Sequence, residues 1–235
     1  MLKSLAMYRL FIKYFSHFFL VICLMLFFSC TTGPQLPEPN RVSIPKRELT
    51  KEEILSISSY SRLKAVVNLD MEAAGKLLLD SVTAVFYMED TGRARLRIYK
   101  FGMPVFDIVN RDGEVRSRPP EEAEKYSDSF SLLMRAVFWW RSMNEARLEV
   151  LKSEYLLQTP HQAVWLKRMN LLPVKQEIFS KKGIIKIRYS NPEALENRKD
   201  FPSKIEINSL NYRLVVTVKR VATDVAFDND MFEWP

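Results

Sequence analysis

From Arg93 to Tyr99, charge and hydrocarbon alternate one for one. Arg93, Arg95, Arg97 and Tyr99 fall on one side, and Ala94, Leu96 and Ile98 on the other. A two-residue period fits an extended strand with one wet face and one core face. The same signature returns along most of the chain. It predicts strands over 63–71, 75–89, 93–99, 104–109 and 114–118. A second set is predicted over 146–151, 154–158, 162–168, 174–180, 183–190, 203–209 and 212–222. In the first run Leu63, Ala65, Val67, Leu69 and Met71 form the apolar side, and Val66 breaks the polar one. Turn residues separate the runs: Asn110-Arg111-Asp112-Gly113, Lys181-Lys182-Gly183 and Leu210-Asn211. Sequential strands joined by short turns imply an antiparallel meander.

Two segments break the period. Thr50-Lys51-Glu52-Glu53 has the form of a capping box ahead of Ile54, Leu55 and Ile57, so a short helix is expected over about 50–60. Between the two sets of strands, Phe130, Leu133, Met134, Val137 and Trp140 recur at helical spacing. Ala136, Phe138 and Trp139 widen that face. A helix over about 129–142 is expected, capped by Asp128 and ended near Asn144, with its wide apolar face against a sheet. Ahead of it, Glu121, Glu122 and Glu124 suit the positive end of a helical turn. Segment 191–200 is expected to carry a short helical turn.

The N-terminus has a different character. Lys3, Arg9 and Lys13 precede a mainly apolar stretch over 14–28, broken by His17; Ser29 then precedes Cys30. That is the order of an export signal. Its apolar core is shorter than the ~20 residues of a spanning helix. An uncleaved signal anchor is the alternative, because Phe11 and Ile12 lengthen the apolar zone. The three leader cations reduce the formal charge of +7 to +4 for the remainder. That charge is spread out, without a dense basic run, which argues against nucleic-acid binding. Cys23 and Cys30 are the only cysteines, so a chain cut before Cys30 has no internal disulfide. Residues 31–47 hold four prolines and read as an extended spacer.

Phe27-Phe28-Ser29-Cys30 resembles the lipobox of bacterial lipoproteins. The small Ser29 fits, while Phe27 and Phe28 depart from the usual pattern. The resemblance implies a diacylglycerol on the Cys30 thiol and cleavage just before it. Thr31 at the next position, by the same resemblance, favours the outer membrane.

Three further patches, in their order along the chain, resemble the lipoprotein-localisation (LolA/LolB-like) family. They are Gly92–Asp107, with its arginine-rich strand and apolar loop, the turn Asp112-Gly113-Glu114-Val115, and the end Phe232-Glu233-Trp234-Pro235, similar to a terminal strand. The resemblance implies a β-rich α+β fold: an open antiparallel half-barrel of about 10–11 strands, with two or three helices on the concave side. It also implies an apolar concavity for lipid or lipoprotein acyl chains, here Phe130, Leu133, Met134, Val137 and Phe138. Phe101, Gly102 and Met103 match the place of the family's membrane-insertion loop, although so short a loop cannot protrude far.

Chemistry for catalysis is sparse. Beyond the leader, His161 is the one histidine, and beside Pro160 it reads as a surface turn residue. No GxSxG, phosphate-cradling glycine loop or HExxH occurs. Asp224, Asp228 and Asp230 lack the glycine and terminal glutamate of a calcium loop and read as a solvated tail. No catalytic residue, metal or cofactor is expected.

The expected organisation is therefore a signal peptide over 1–29, a lipidated Cys30 and tether over 30–48, and a half-barrel domain over 49–235. The expected function is a non-enzymatic lipoprotein that binds acyl chains, facing the periplasm from the outer membrane. The inner membrane and the cell surface are the alternative locations. Expected partners are the membrane, lipids or lipoproteins, and a periplasmic carrier protein. A structural or assembly lipoprotein binding another envelope protein is the alternative function.

Overall fold

In a computed structural model, the described residues are 47–234, apart from 112, 121, 182, 191–200 and 229; the side chains of 122–125 are also left out. The leader, Cys30, nearly all of the spacer and the expected turn over 191–200 lie outside them.

Helix α1 (Lys51–Ser58) begins at the capping box. The Glu53 amide donates to the Thr50 hydroxyl, and the Thr50 amide donates to the Glu53 carboxylate. Twelve strands follow the alternating pattern closely. The first five are β1 (Arg62–Ala73), β2 (Lys76–Glu89), β3 (Ala94–Lys100), β4 (Met103–Arg111) and β5 (Glu114–Arg118). Helix α2 (Glu122–Val137) and a 3-10 turn (Trp139–Ser142) come next. The chain then forms β6 (Arg147–Val150), β7 (Glu154–Gln158), β8 (Gln162–Lys167), β9 (Pro173–Ser180), β10 (Gly183–Ser190), β11 (Lys204–Asn208) and β12 (Tyr212–Thr223).

All twelve strands form one antiparallel sheet in the order β5-β4-β3-β2-β1-β12-β11-β10-β9-β8-β7-β6. The first and last strands therefore meet in its middle, from Leu63 opposite Thr223 to Ala73 opposite Tyr212. The register slips beside Val66, the residue that breaks the alternation. The two edges, β5 and β6, are consecutive in sequence, and α2 connects them.

The core-facing alternation holds. Leu63, Ala65, Val67, Leu69 and Met71 of β1 are buried, as are Ala94, Leu96 and Ile98 of β3. The described residues form an open antiparallel half-barrel as expected, with twelve strands against the expected 10–11 and two α-helices. Two helix boundaries are corrected. Helix α2 starts at Glu122, six residues before Asp128, because the acidic turn belongs to the same helix. The α-helix also stops at Val137, where the chain tightens into the 3-10 turn.

The C-terminal end is not a strand; Asp224, Asp228 and Asp230 are exposed, as expected, while the aromatic residues among and after them are covered. Residues 225–228 and 230–234 lie against the arginines of the N-terminal strands on the convex face. Phe227 lies under Arg62, Phe232 under Arg93 and Trp234 under Arg116, with guanidinium carbons 5.9, 5.2 and 4.5 Å from the ring centres. Arg95 donates to the Met231 carbonyl at 2.9 Å and to Asp107 at 2.7 Å, and its side chain is only 10% exposed. The Asp107 carboxylate beside it raises the Arg95 pKa above its usual value. Period-two reading places Arg95 in water; the tail takes it out.

Two predictions follow from these contacts. Asp107→Ala leaves a covered cation unpaired and should cost about 3 kcal/mol in urea unfolding. Pairing Arg95→Met with Asp107→Leu should recover most of that loss. At α1, the hydrogen bond from Arg47, helped by the Thr50 amide, holds Glu53 down to about 2. A depressed carboxylate stabilises the folded state above its ordinary value of 4.5. Amide protection in α1 should therefore fall as pH drops toward about 2, and Glu53→Gln should remove that dependence.

Candidate functional site

The concave face is apolar over most of its breadth. Phe86 and Met88 (β2), Leu96 and Ile98 (β3), Leu214 and Val216 (β12), Ile205 and Ile207 (β11), Ile187 (β10) and Leu157 (β7) all point into it and are buried. A curved sheet with such a lining must be covered, because leaving each large side chain in water costs about 1.5–3 kcal/mol. Helix α2 covers it.

Phe130, Leu133, Met134, Val137 and Phe138 are each at most 8% exposed and belong to the core. They pack into the concavity, and Met134 and Phe138 also line a small hollow beside it. Phe130 stacks on Phe86 at 6.4 Å between ring centres, and Tyr126 meets Phe106 edge-on at 6.1 Å. Trp139 and Trp140 are buried beside Phe138. Two hollows flank the C-terminal end of α2. One, of about 220 Å³, is lined by Met134, Arg135, Phe138, Arg141 and Ser142. The other, of about 450 Å³, is lined largely by polar residues, among them Ser56, Asp90, Arg141 and Asn144. The first falls below the 300–1,000 Å³ typical of ligand pockets.

The C-terminal end of α2 is held through its backbone. The last carbonyls of a helix lack intrahelical donors, and here the sheet supplies them. Gln176 (β9) donates to the Arg135 carbonyl at 3.3 Å, Tyr189 (β10) to Ala136 at 2.9 Å and Tyr60 to Val137 at 2.9 Å. Gln162 (β8) donates to the Trp139 carbonyl at 3.4 Å and accepts from Ser142 at 3.1 Å. Gln176 Oε1 also lies within hydrogen-bond reach of the Tyr189 hydroxyl, whose single proton is shared between it and the Ala136 carbonyl. Complete burial pushes the Tyr189 phenol well above its usual value, so it remains a donor. This polar clasp fixes the C-terminal end. Farther toward the N-terminus, Tyr126 and Phe130 make aromatic contacts with Phe106 and Phe86. The Tyr212 hydroxyl, buried near Ser129, makes no well-formed hydrogen bond, and burial pushes it up to about 12.

The clasp was absent from the sequence reading. Its signal was nonetheless present: Gln176 shares the core phase of β9 with Ile178, and Gln162 opens the apolar run of β8. Both glutamines are buried, at 0% and 1% exposure.

Phe101, Gly102 and Met103 lie far from the concavity's floor, in the β3–β4 turn. Phe101 and Gly102 both have positive φ, +53° and +78°, and Lys100 faces Met103 across the turn. Phe101 is 91% exposed and Met103 64%. The loop is a two-residue hairpin turn, not a long protrusion. His161 is exposed in the β7–β8 turn. Asp224 accepts from the Ser61 amide and hydroxyl, a structural duty. Among the described residues no cluster of three metal-ligating side chains occurs.

The described strands form an open, single-sheet half-barrel with α2 across its concave face. No family profile and no curated protein sequence matches the chain. Among solved structures it is similar to a LolA superfamily protein of Nitrosomonas europaea, at 12% identity and TM-score 0.52, covering 79% of this chain and 98% of that one. It is also similar to a DUF1329 family protein of Desulfovibrio piger, at 11% identity and TM-score 0.46, covering 77% and 92%. The chain thus has the LolA-like fold, consistent with the family resemblance of its sequence patches.

The clasp predicts a graded response. Tyr189→Phe removes a buried donor from the Ala136 carbonyl and should cost about 1–3 kcal/mol. Phe130→Ala opens a cavity over Phe86 and should cost about 3–5 kcal/mol in thermal or urea unfolding.

Proposed function

We propose that this chain is a non-enzymatic, membrane-anchored lipoprotein of the cell envelope whose half-barrel takes up lipid or lipoprotein acyl chains in its apolar concavity, between the sheet and α2. The observation that carries the reading is the broad apolar face of a curved sheet covered by a single helix. Polar side chains pin that helix at its C-terminal end, and over the sheet Phe130 stacks on Phe86 while Tyr126 meets Phe106. Lifting Phe130 and Leu133 off the sheet costs about 2–3 kcal/mol each. An acyl chain returns about 0.8 kcal/mol per buried methylene, so a long chain offsets the exchange.

Lipid on Cys30 and the proline spacer tether the domain beside the membrane that supplies its ligand. Phe101, Gly102 and Met103 serve as the membrane-facing loop. The fold, the Cys30 context and Thr31 support a place in lipoprotein localisation at the periplasm-facing leaflet of the outer membrane, with a periplasmic carrier as donor.

Native mass spectrometry of the full chain with palmitate and with a diacylated lipopeptide tests the exchange. One retained acyl ligand per chain is expected. Amide exchange should rise over Tyr126–Phe130, about tenfold or more, while 135–139 stay protected. No retained ligand and no change in exchange would sink the reading. In that case, a stable protein partner recovered from the envelope would favour the assembly role. The intact mass of the exported protein, with and without Cys30→Ser, checks the anchor.

A further inference from the structure

Eight large apolar side chains are exposed among the described residues: Leu77, Phe101, Met103, Val105, Val150, Met169, Ile184 and Leu210. Six of them sit at one end of the sheet. Strand order places the β3–β4, β1–β2, β11–β12 and β9–β10 turns side by side at that end. These turns and their first strand residues carry Phe101 with Met103 and Val105, Leu77, Leu210, and Ile184, respectively. Neighbouring turns touch: the Ala74 amide donates to the Asn211 carbonyl at 3.0 Å, and a methyl group of Leu210 lies 3.5 Å from where a side chain at Gly183 would begin. Only Val150 and Met169 lie at the opposite end.

The turns are staggered one way. The β3–β4 turn stops just past Tyr99 opposite Thr83, whereas β10 runs on beyond its last pair with β11, Lys186 opposite Asn208. One-way stagger is the mark of tilted strands in a curved sheet and draws their tips toward a common rim. Cations stand among the apolar tips. Lys76, Lys100 and Lys181 are exposed, and among the described residues none has a carboxylate partner. Lys100 lies 5.8 Å from the Phe101 ring centre. The acids near the rim include Glu72, opposite Arg213, Asp80, and Asp70, which accepts from the Ser81 amide.

Folding does not explain this rim. A bulky aromatic at positive φ costs about 1 kcal/mol or more, where Asn or Gly would sit without strain. At 91% exposure, Phe101 gains little burial in return. Separate apolar tips with unpaired lysines between them form no groove for a peptide. They match a bilayer interface, where apolar groups enter the acyl boundary and lysines meet anionic head groups.

We propose that the rim of these four hairpin turns, Leu77, Phe101, Met103, Ile184 and Leu210 with Lys76, Lys100 and Lys181, docks the half-barrel end-on to an anionic lipid surface. The docking extends the membrane contact from one loop to four turns and does not depend on acyl chains entering the interior.

The test uses the full chain reconstituted in vesicles of phosphatidylethanolamine and phosphatidylglycerol. A photo-reactive benzoylphenylalanine is placed at position 77, 184 or 210, each outside the β3–β4 loop, and at position 169 as the opposite-end reference. Lipid adducts should form at the three rim positions and fall at least about fivefold at 169. Lys76→Gln with Lys181→Gln should lower the rim yield, as should exchanging phosphatidylglycerol for phosphatidylcholine. Equal yields at 169 and 210 would overturn the proposal. So would adducts to protein rather than lipid when the same chains are irradiated in intact envelopes. Retention of acyl ligand in native mass spectrometry, with no rim adducts, would defeat docking and leave the acyl-chain reading standing.

Discussion

The pairing of β1 with β12 is the constraint on which everything else rests. It joins residues some 140 to 160 positions apart, from Ala73 with Tyr212 to Leu63 with Thr223. Without it the chain would be two smaller meanders, β1–β5 and β6–β12, each with a narrower apolar face. With it, one sheet curves far enough to hold a helix, and α2 lies in that sheet because it connects the two edges. Long-range closure of this kind carries a large loop entropy and forms slowly. The apolar face it completes is what offsets that cost.

A single helix in a wide apolar trough is ordinarily only a core. The polar clasp makes α2 more specific than that. Gln176, Tyr189 and Tyr60 occupy the last carbonyls of α2, and Gln162 that of Trp139 just beyond, so this end of the helix is fixed by directed bonds as well as by burial. Buried hydrogen bonds cannot be replaced without leaving a donor or acceptor stranded.

Much of this was legible in the residues. Period-two alternation located every strand to within a residue or two, because each has one wet and one dry side. The capping box placed α1, and the wide apolar face of 130–140 placed α2 against a sheet. Whether that helix would seal the concavity was not legible, since a residue lining a pocket and a residue filling one have the same chemistry. The closed state of Phe130, Met134 and Phe138 depends on how deeply the sheet curves, which no local pattern records. Arg95 illustrates the same limit. Its alternation placed it in water, and only the distant tail, with Met231 and Phe232, covers it. The exposed rim was missed for a related reason: Leu77, Ile184 and Leu210 are unremarked singly and become a surface only when strand order sets their turns in a row.

The tail across the convex face also determines how the protein meets salt. Arg62, Arg93 and Arg116 lie against aromatic rings, and Arg95 is sealed with Asp107 beneath the Met231 carbonyl. Arg95, 10% exposed, is shielded less by mobile ions than the other three arginines, which are 39–53% exposed, or than the open lysines of the rim. Ionic strength therefore acts unevenly on the molecule: the Arg95–Asp107 pair keeps its attraction across a wide range of salt, while the open charges lose theirs as salt rises. One fold thus carries two electrostatic regimes, one sealed beneath the strap and one open to solvent.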